Sequence, residues 1–433
     1  MPPTPRDTIF ARSSGAGVAG VAVFRVSGPR AGDVLDAFCG GRGEPRRARL
    51  ARVTLPDGSL LDEGLTLWFP SPASFTGEDV AELHLHGSPA VERAFADAML
   101  GFGLAPATAG AFTLRAFEAG KLDLAQAEGL GDLLSAETEA QRRQALGQLG
   151  GRLSHLAEDW RRSLLAALAS LEAAVDFPDE EDVPGGVADG ARATLGALAA
   201  DMRAALSEAA AARRVREGIT VVITGPPNAG KSSLLNALAG SERAIVSPEA
   251  GTTRDLVEAR LSLSGQLVTL VDTAGLREGG GMVEALGMAR AREVAATADL
   301  RIELRDARTV GEVAARERTL HVANKLDLLP DGEALPGGWY RLSVATGEGL
   351  PRIVEAITEH VRAGGEGALT RERHADLVRR AVNAIEAASE RELPPEVLSE
   401  EVRLAVRSME ELTGRIAPDE VLGEVFSAFC IGK

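Results

Sequence analysis

Apolar and polar positions change period along this chain, and the changes divide it. Over residues 1–117 short alternating runs at 8–11, 20–25, 65–69 and 81–86 predict strands, with Pro- and Ser-rich turn material at 70–74 between them. From residue 122 the spacing becomes helical. The stretches 122–149 and 153–175 are rich in Ala, Leu, Glu and Gln, and a further helix over 191–215 follows the acidic turn 176–182. After Gly218 the period switches again. Residues 219–224 form a continuous β-branched run, the pattern of a buried parallel strand, and strand and helix signals then alternate to about residue 360. A Gly-rich hinge at 364–367 precedes two more helices, 371–391 and 395–412.

This order predicts a multidomain chain. An α+β domain occupies 1–117, an all-α helical domain occupies 118–216 and 364–433, and an α/β domain at 217–363 is inserted between the two helical halves. Such an arrangement would let a ligand in the inserted domain act mechanically on the helices.

Composition narrows the class. Apolar residues make up 45% and aromatics only 4%, so aliphatic side chains and Ala must fill the cores. A net charge of −16 argues against binding polyanions through the global field. Local Arg clusters at 42–52, 213–216 and 371–380 read as solvated surface. Two cysteines, Cys39 and Cys430, are too few for a disulfide framework and suit a reducing cytosol. The N-terminus lacks the layout of a signal peptide, and no run reaches the roughly 18 apolar residues that a membrane span needs. The expectation is a cytoplasmic protein with no membrane association.

The strand at 219–224 runs into Gly225-Pro226-Pro227-Asn228-Ala229-Gly230-Lys231-Ser232 and then a helix beginning at Ser233. This is G-x-x-x-x-G-K-S in strand–loop–helix context, a P-loop. The amides of Asn228, Ala229, Gly230, Lys231, Ser232 and Ser233 would wrap phosphate oxygens, with Lys231 as a point charge and the Ser232 hydroxyl on Mg²⁺. The strand ending at Asp272 leads into Thr273-Ala274-Gly275, a D-x-x-G that can hold the metal's water shell and meet the γ-phosphate. Between them Gly251-Thr252-Thr253 offers a switch threonine for Mg²⁺. Asn324-Lys325-Leu326-Asp327 carries the carboxylate that accepts the ring N–H and exocyclic amine of guanine, a donor pair that adenine lacks. Ser343-Val344-Ala345 stands where a loop closing over the base is expected. Residues 300–305 read Leu-Arg-Ile-Glu-Leu-Arg, so a buried central strand there would have to satisfy three charges.

Leu276 occupies the position at which Ras-type enzymes place a water-orienting Gln, so another group must do that work. Glu284 is the candidate, with a solvent-facing helix residue as the plainer alternative. A monovalent cation could supply charge between the β- and γ-phosphates, with the Asn228 side-chain carbonyl as one ligand.

With these motifs the chain resembles the tRNA-modifying GTPase family known as MnmE or TrmE, over almost its whole length. The resemblance is carried by Asp7-Thr8-Ile9, Phe24-Arg25-Val26-Ser27-Gly28, Ser74-Phe75-Thr76-Gly77-Glu78-Asp79-Val80, Lys121-Leu122-Asp123-Leu124-Ala125-Gln126-Ala127-Glu128, the nucleotide motifs and the terminal Cys430-Ile431-Gly432-Lys433. It implies an N-terminal α+β folate-binding and dimerising domain, and an all-α helical domain interrupted by a Ras-like α/β P-loop GTPase domain. It also implies a homodimer whose K⁺-dependent GTP hydrolysis is linked to dimerisation of that inserted domain. With an FAD-dependent partner of the MnmG/GidA type, in a heterotetramer, such proteins add an aminomethyl or carboxymethylaminomethyl group to the wobble uridine of certain tRNAs. The carbon comes from a formyl- or methylene-tetrahydrofolate.

By position, the resemblance places Asn228, Ser247, Glu249 and Thr252 on K⁺, and Ser232 and Thr253 on Mg²⁺. It makes Glu284 the catalytic glutamate beside Lys231, and extends the GTP contacts to Ser247, Glu249 and Ala250. Arg25, Glu82, Lys121 and Lys433 match the folate positions. Read by themselves, Glu82, His84 and His86 share one strand face and would suit either a metal ion or a half-buried polar wall. Two other readings stay open: a GTP-controlled ribosome-assembly switch that binds RNA, and a one-carbon transferase to which a GTPase is merely fused.

Overall fold

The structure is a computed structural model that describes residues 7–176, 187–240, 257–272, 298–314, 316–330, 333–361, 367–390 and 394–433. Two compact units divide the chain. One holds Met1–Gly131, Leu149–Arg162 and Val406–Lys433, the other Asp132–Gln148 and Ser163–Ala405.

In the first unit, β1 (Ile9–Arg12), β2 (Ala19–Ser27), β3 (Arg49–Thr54), β4 (Leu60–Phe69), β5 (Val80–Gly87) and β6 (Ala105–Pro106) form one sheet in the order β3-β4-β5-β2-β1-β6. Neighbours are antiparallel except for β1 and β6. Alternation sends Phe24, Val26, Val53, Trp68, Leu83 and Leu85 to one face. There they pack on α1 (Ala31–Cys39) and α2 (Pro89–Gly101) through Leu35, Phe38, Phe95 and Met99. On the opposite face α3 (Ala111–Glu118) lays Phe112 against Ile9 and Ala11. Farther along that face Leu50, Leu65, His84 and Val23 stand in register across four strands, with Leu50 64% and Leu65 42% exposed.

The helical reading of 122–149 divides into α4 (Leu124–Ser135) and α5 (Glu139–Leu149). Each begins at a reciprocal cap. The Gln126 amide donates to Asp123 Oδ1 while the Gln126 side chain accepts from the Asp123 amide, and Thr138 and Gln141 repeat the exchange. Then come α6 (Arg152–Asp176) and α7 (Val187–Glu217), and nothing is described of the acidic turn between them.

The second sheet contains β7 (Ile219–Thr224), β8 (Val257–Leu263), β9 (Gln266–Asp272), β10 (Leu300–Asp306), β11 (Thr319–Asn324) and β12 (Tyr340–Arg341), in the order β12-β11-β10-β7-β9-β8. All neighbours are parallel except β8 and β9. Its apolar face receives α8 (Lys231–Ala239) and α9 (Leu350–Val361) through Leu234, Leu235, Ile353 and Ile357. The helix after the P-loop therefore starts at Lys231, two residues before its sequence estimate.

The charged strand is accommodated by alternation. In β10, Leu300, Ile302 and Leu304 are buried, while Glu303 on the other face pairs with Arg305 at 2.7 Å and lies 3.2 Å from His321 Nδ1. The side chains of α5 tie this unit's helices together: Gln141 donates to the Arg216 carbonyl at 3.0 Å, and Gln144 to that of Ala212 at 2.9 Å. Next in the chain are α10 (Glu372–Glu390), which packs along α7 with Arg213 paired to Glu372, then α11 (Pro395–Thr413) and α12 (Asp419–Ser427). Among the described residues no helix is long and apolar enough to cross a membrane.

Candidate functional site

Parallel strands gather ligands at their carboxyl ends, and the sequence motifs fall there on β7, β9 and β11. The chain leaves β7 through Gly225, whose φ is +145° and whose missing Cβ would meet the Leu304 carbonyl oxygen at 2.1 Å. Gly230 is also left-handed, at φ +96°, and a Cβ there would lie 2.4 Å from Asn324 Nδ2. That same nitrogen donates to the Ala229 carbonyl at 2.8 Å. The loop is thus wound by its backbone, with amides available to face inward.

Lys231 bends back over this loop, its Nζ 3.1 Å from the Gly225 carbonyl and 2.9 Å from that of Pro226. Ser232 Oγ donates to Asp272 Oδ2 at 2.6 Å, and Asp272 is fully buried. A hydroxyl and a carboxylate oxygen set side by side are the hard donors that Mg²⁺ takes, directly or through its waters. Asn228 has φ +61°, an uncommon conformation for a residue with a side chain. Ser233 follows as an exposed residue in the first turn of α8.

The base motif and the closing loop meet. Ser343 Oγ donates to Asp327 Oδ1 at 2.5 Å, the Val344 amide donates to Asn324 Oδ1 at 3.1 Å, and the Thr346 amide to Ser343 Oγ at 3.3 Å. Ala345 is exposed beside them. The Ser-Val-Ala sequence therefore builds a loop on the base motif without a long residue after the serine. Ser247, Glu249, Ala250, Gly251, Thr252, Thr253, Thr273, Ala274, Gly275 and Glu284 lie outside the described residues.

Sequence reasoning passed over Asp306 at the end of β10. Its carboxylate accepts from Lys325 Nζ at 3.1 Å and from Arg308 Nη2 at 2.7 Å, and the Arg308 guanidinium, followed by Lys325, holds the carboxyl well below the usual carboxylate range. No sequence pattern singles it out, because its parallel register with Asn324 is visible only in the structure.

A second constellation lies in the first unit. Arg25 donates through Nε and Nη2 to Glu82 Oε1 at 3.0 and 2.8 Å, and both side chains are mostly buried. The guanidinium lies 5.4 Å from the centre of the Phe75 ring and 5.6 Å from that of Phe112. Lys121 runs beside Gly77, where a Cβ would meet its Cε at 3.4 Å. The Lys433 carbonyl accepts from the Phe112 amide at 3.3 Å. The structure so brings Arg25, Glu82, Lys121 and the Lys433 backbone around the 75–77 loop and Phe112. A cation, a carboxylate and two aromatic rings suit the heterocycle and glutamate of a folate.

His84 Nε2 sits 3.6 Å from Glu82, whereas His86 pairs with Asp62 at 2.8 Å, so the two histidines diverge. Arg115 was also missed. It donates to Glu78 at 2.8 Å, to the Ser27 carbonyl at 3.2 Å and to the Asp7 carbonyl at 2.7 Å, shaping the loop that presents Phe75. As a single basic residue on a short helix, it carried no pattern.

Known proteins resemble the chain along almost its whole length. The family model described as the GTP-binding protein TrmE N-terminus matches residues 8–121, and that of the MnmE helical domain matches 124–430. The chain is 45% identical over 436 residues to the tRNA modification GTPase MnmE of Rhodopseudomonas palustris, covering 98% of this chain and 99% of that protein. The chain belongs to the MnmE family of tRNA modification GTPases. MnmE of Phenylobacterium zucineum is 47% identical, covering 99% of this chain and 100% of its own length, and that of Beijerinckia indica is 48% identical, covering 99% and 96%. Among solved structures, Aquifex aeolicus Era bound to GDP and AlF4⁻ superposes with a TM-score of 0.26 at 23% identity, over 41% of this chain and 69% of its own. The MnmE helical-domain match encloses the whole second sheet, which follows α7 and precedes α10.

Proposed function

We propose that this MnmE-family chain hydrolyses GTP in a K⁺-dependent manner and that its cycle drives modification of the wobble uridine of certain tRNAs. The added group is aminomethyl or carboxymethylaminomethyl, its carbon comes from a tetrahydrofolate derivative, and an FAD-dependent protein of the MnmG/GidA type completes a heterotetramer. The observation that carries the reading is the joined pocket in which Asn324 braces the P-loop while Ser343 orients Asp327.

In this reading Asp327 accepts the guanine N–H groups, and Lys231 leaves the carbonyls of Gly225 and Pro226 for the β- and γ-phosphates. Ser232 and Thr253 hold Mg²⁺, with Asp272 behind Ser232. Asn228, Ser247, Glu249 and Thr252 hold K⁺, and Glu284 positions the attacking water. The two cations, when bound, neutralise charge that builds between the phosphates.

Folate sits against Arg25, Glu82, Lys121 and Lys433. The row of Leu50, Leu65 and Val23 gives the first sheet an apolar patch suited to homodimerisation. The folate and dimerisation domain spans 1–117, the GTPase domain 217–363, and the helical halves 118–216 and 364–433. The protein acts in the cytoplasm.

The test is nucleoside analysis of tRNA from cells lacking the chain, complemented by wild type or by Lys231→Ala. Loss of the modified wobble uridine, restored by wild type alone, supports the proposal. Full restoration by Lys231→Ala would refute it. Equal GTP turnover in Na⁺ and K⁺ would remove the monovalent-cation role.

A further inference from the structure

The exposed carboxylate of Asp327 lies within electrostatic reach of the Arg308 guanidinium, which feels it as well as Asp306. Lys325 precedes Asp327 by two residues, on a backbone turned left-handed at φ +69°. A surface carboxylate near a guanidinium ordinarily pairs with it. Here Arg308 and Lys325 are both drawn the other way. Asp306 Oδ1 accepts from the amide and Nε of Arg308 at 3.1 and 3.0 Å, and its Oδ2 accepts from Arg308 Nη2 at 2.7 Å and Lys325 Nζ at 3.1 Å. Asp327 receives the neutral hydroxyl of Ser343 instead. The backbone on either side is fixed separately, since Ala307 and Leu326 are buried in one apolar cluster with Ala323.

We propose that Asp306 is a positioning residue that keeps Asp327 available to guanine by sequestering Arg308, beside Lys325 on the same carboxylate. A guanine that binds Asp327 must displace whatever occupies the carboxylate, so a cation left on it acts as an internal competitor. Asp306 removes that competitor before nucleotide arrives. The role rests on assigning 324–327 to the base. It touches affinity and leaves phosphate chemistry alone.

The experiment uses the full-length protein and reads KM and kcat for GTP, dissociation of a fluorescent GDP, and the nucleotide-free melting temperature. Asp306→Asn keeps the side-chain shape but removes the charge that holds the Arg308 guanidinium. It should raise the KM for GTP about tenfold, the scale of one charge-assisted hydrogen bond, with kcat at saturation unchanged. Arg308→Ala alone should stay within about twofold, and Asp306→Glu within about threefold, of wild type. The decisive variant is Asp306→Asn/Arg308→Ala, which removes the competitor and should recover most of the lost affinity. A purely structural Asp306 predicts the reverse, a double variant as weak as the single or weaker, and that result overturns the proposal. So does an unchanged KM in Asp306→Asn, or a fall in kcat at constant KM. Equal turnover of GTP and ATP by wild type would overturn the base assignment and this proposal together. A GTP-selective wild type with an unaffected Asp306→Asn overturns the proposal alone.

Discussion

Asn324 at the end of β11 donates its Nδ2 to the carbonyl of Ala229, 2.8 Å away and 95 residues earlier. The P-loop and the 324–327 segment are therefore joined directly by a side chain. Gly230→Ala should break this link, because the added Cβ meets Asn324 Nδ2 at 2.4 Å and the residue sits at φ +96°. Strain of about 1–3 kcal/mol is expected. GDP affinity, measured by fluorescent-nucleotide titration, should fall at least tenfold, because the clash lies between the two halves of the pocket.

Asp327→Asn exchanges an acceptor for a donor while Ser343 can still hydrogen-bond to the side chain. The KM for GTP should rise by about 100-fold, the scale seen when a buried polar partner is mismatched. Hydrolysis of xanthosine triphosphate, whose 2-oxo group accepts from the new amide, should appear. A phosphate-release assay with both nucleotides checks this.

These two sites differ in how far the sequence announced them. The P-loop is legible because a backbone that turns at Gly225 and Gly230 tolerates few residues, so chemistry imposes spacing. Asp306 has no such signature, since one carboxylate at a strand end means nothing until Lys325 and Arg308 are seen on it. The break at 136–138 was readable: Thr138-Glu139-Ala140-Gln141 is a capping box, hidden inside an otherwise continuous run of helix formers. In β10 the alternation that looked costly is what puts Glu303 on the face opposite Leu300, Ile302 and Leu304, where it pairs with Arg305. The pairing of Arg25 with Glu82 needs strand register, and periodicity alone does not give register between strands.

Arg25→Ala should abolish tetrahydrofolate binding, measured by calorimetry, because Glu82 is then left mostly buried without its cation partner. Glu82→Gln should weaken it less, since the amide oxygen can still accept from Arg25. Neither change should alter the intrinsic GTPase rate, because both residues lie in the first compact unit.

Burial pushes the Cys39 thiol up from its ordinary 9.0 to about 12, against a smaller opposing pull from Arg49. Below pH 9 the thiol is protonated both folded and unfolded, and its contribution to stability is complete. Between pH 9 and about 12 the unfolded chain loses this proton first, so stability falls as pH rises. Denaturant titrations from pH 8 to about 10.5 should show a loss approaching 1 kcal/mol per pH unit that Cys39→Ala lacks. In the native protein at pH 8 a thiol reagent should label exposed Cys430 and spare Cys39.

Arg115 clasps Asp7, Ser27 and Glu78, three points spread across the first hundred residues. Five of the six strands of that sheet can pair once β5 leaves the ribosome, and Ser27 already holds Thr76 and Glu78, but the 74–79 loop lacks its arginine clasp until residue 115 follows. Nascent chains arrested before that point should carry paired strands without this clasp, so synthesis itself sets the clasp after the strands that frame it.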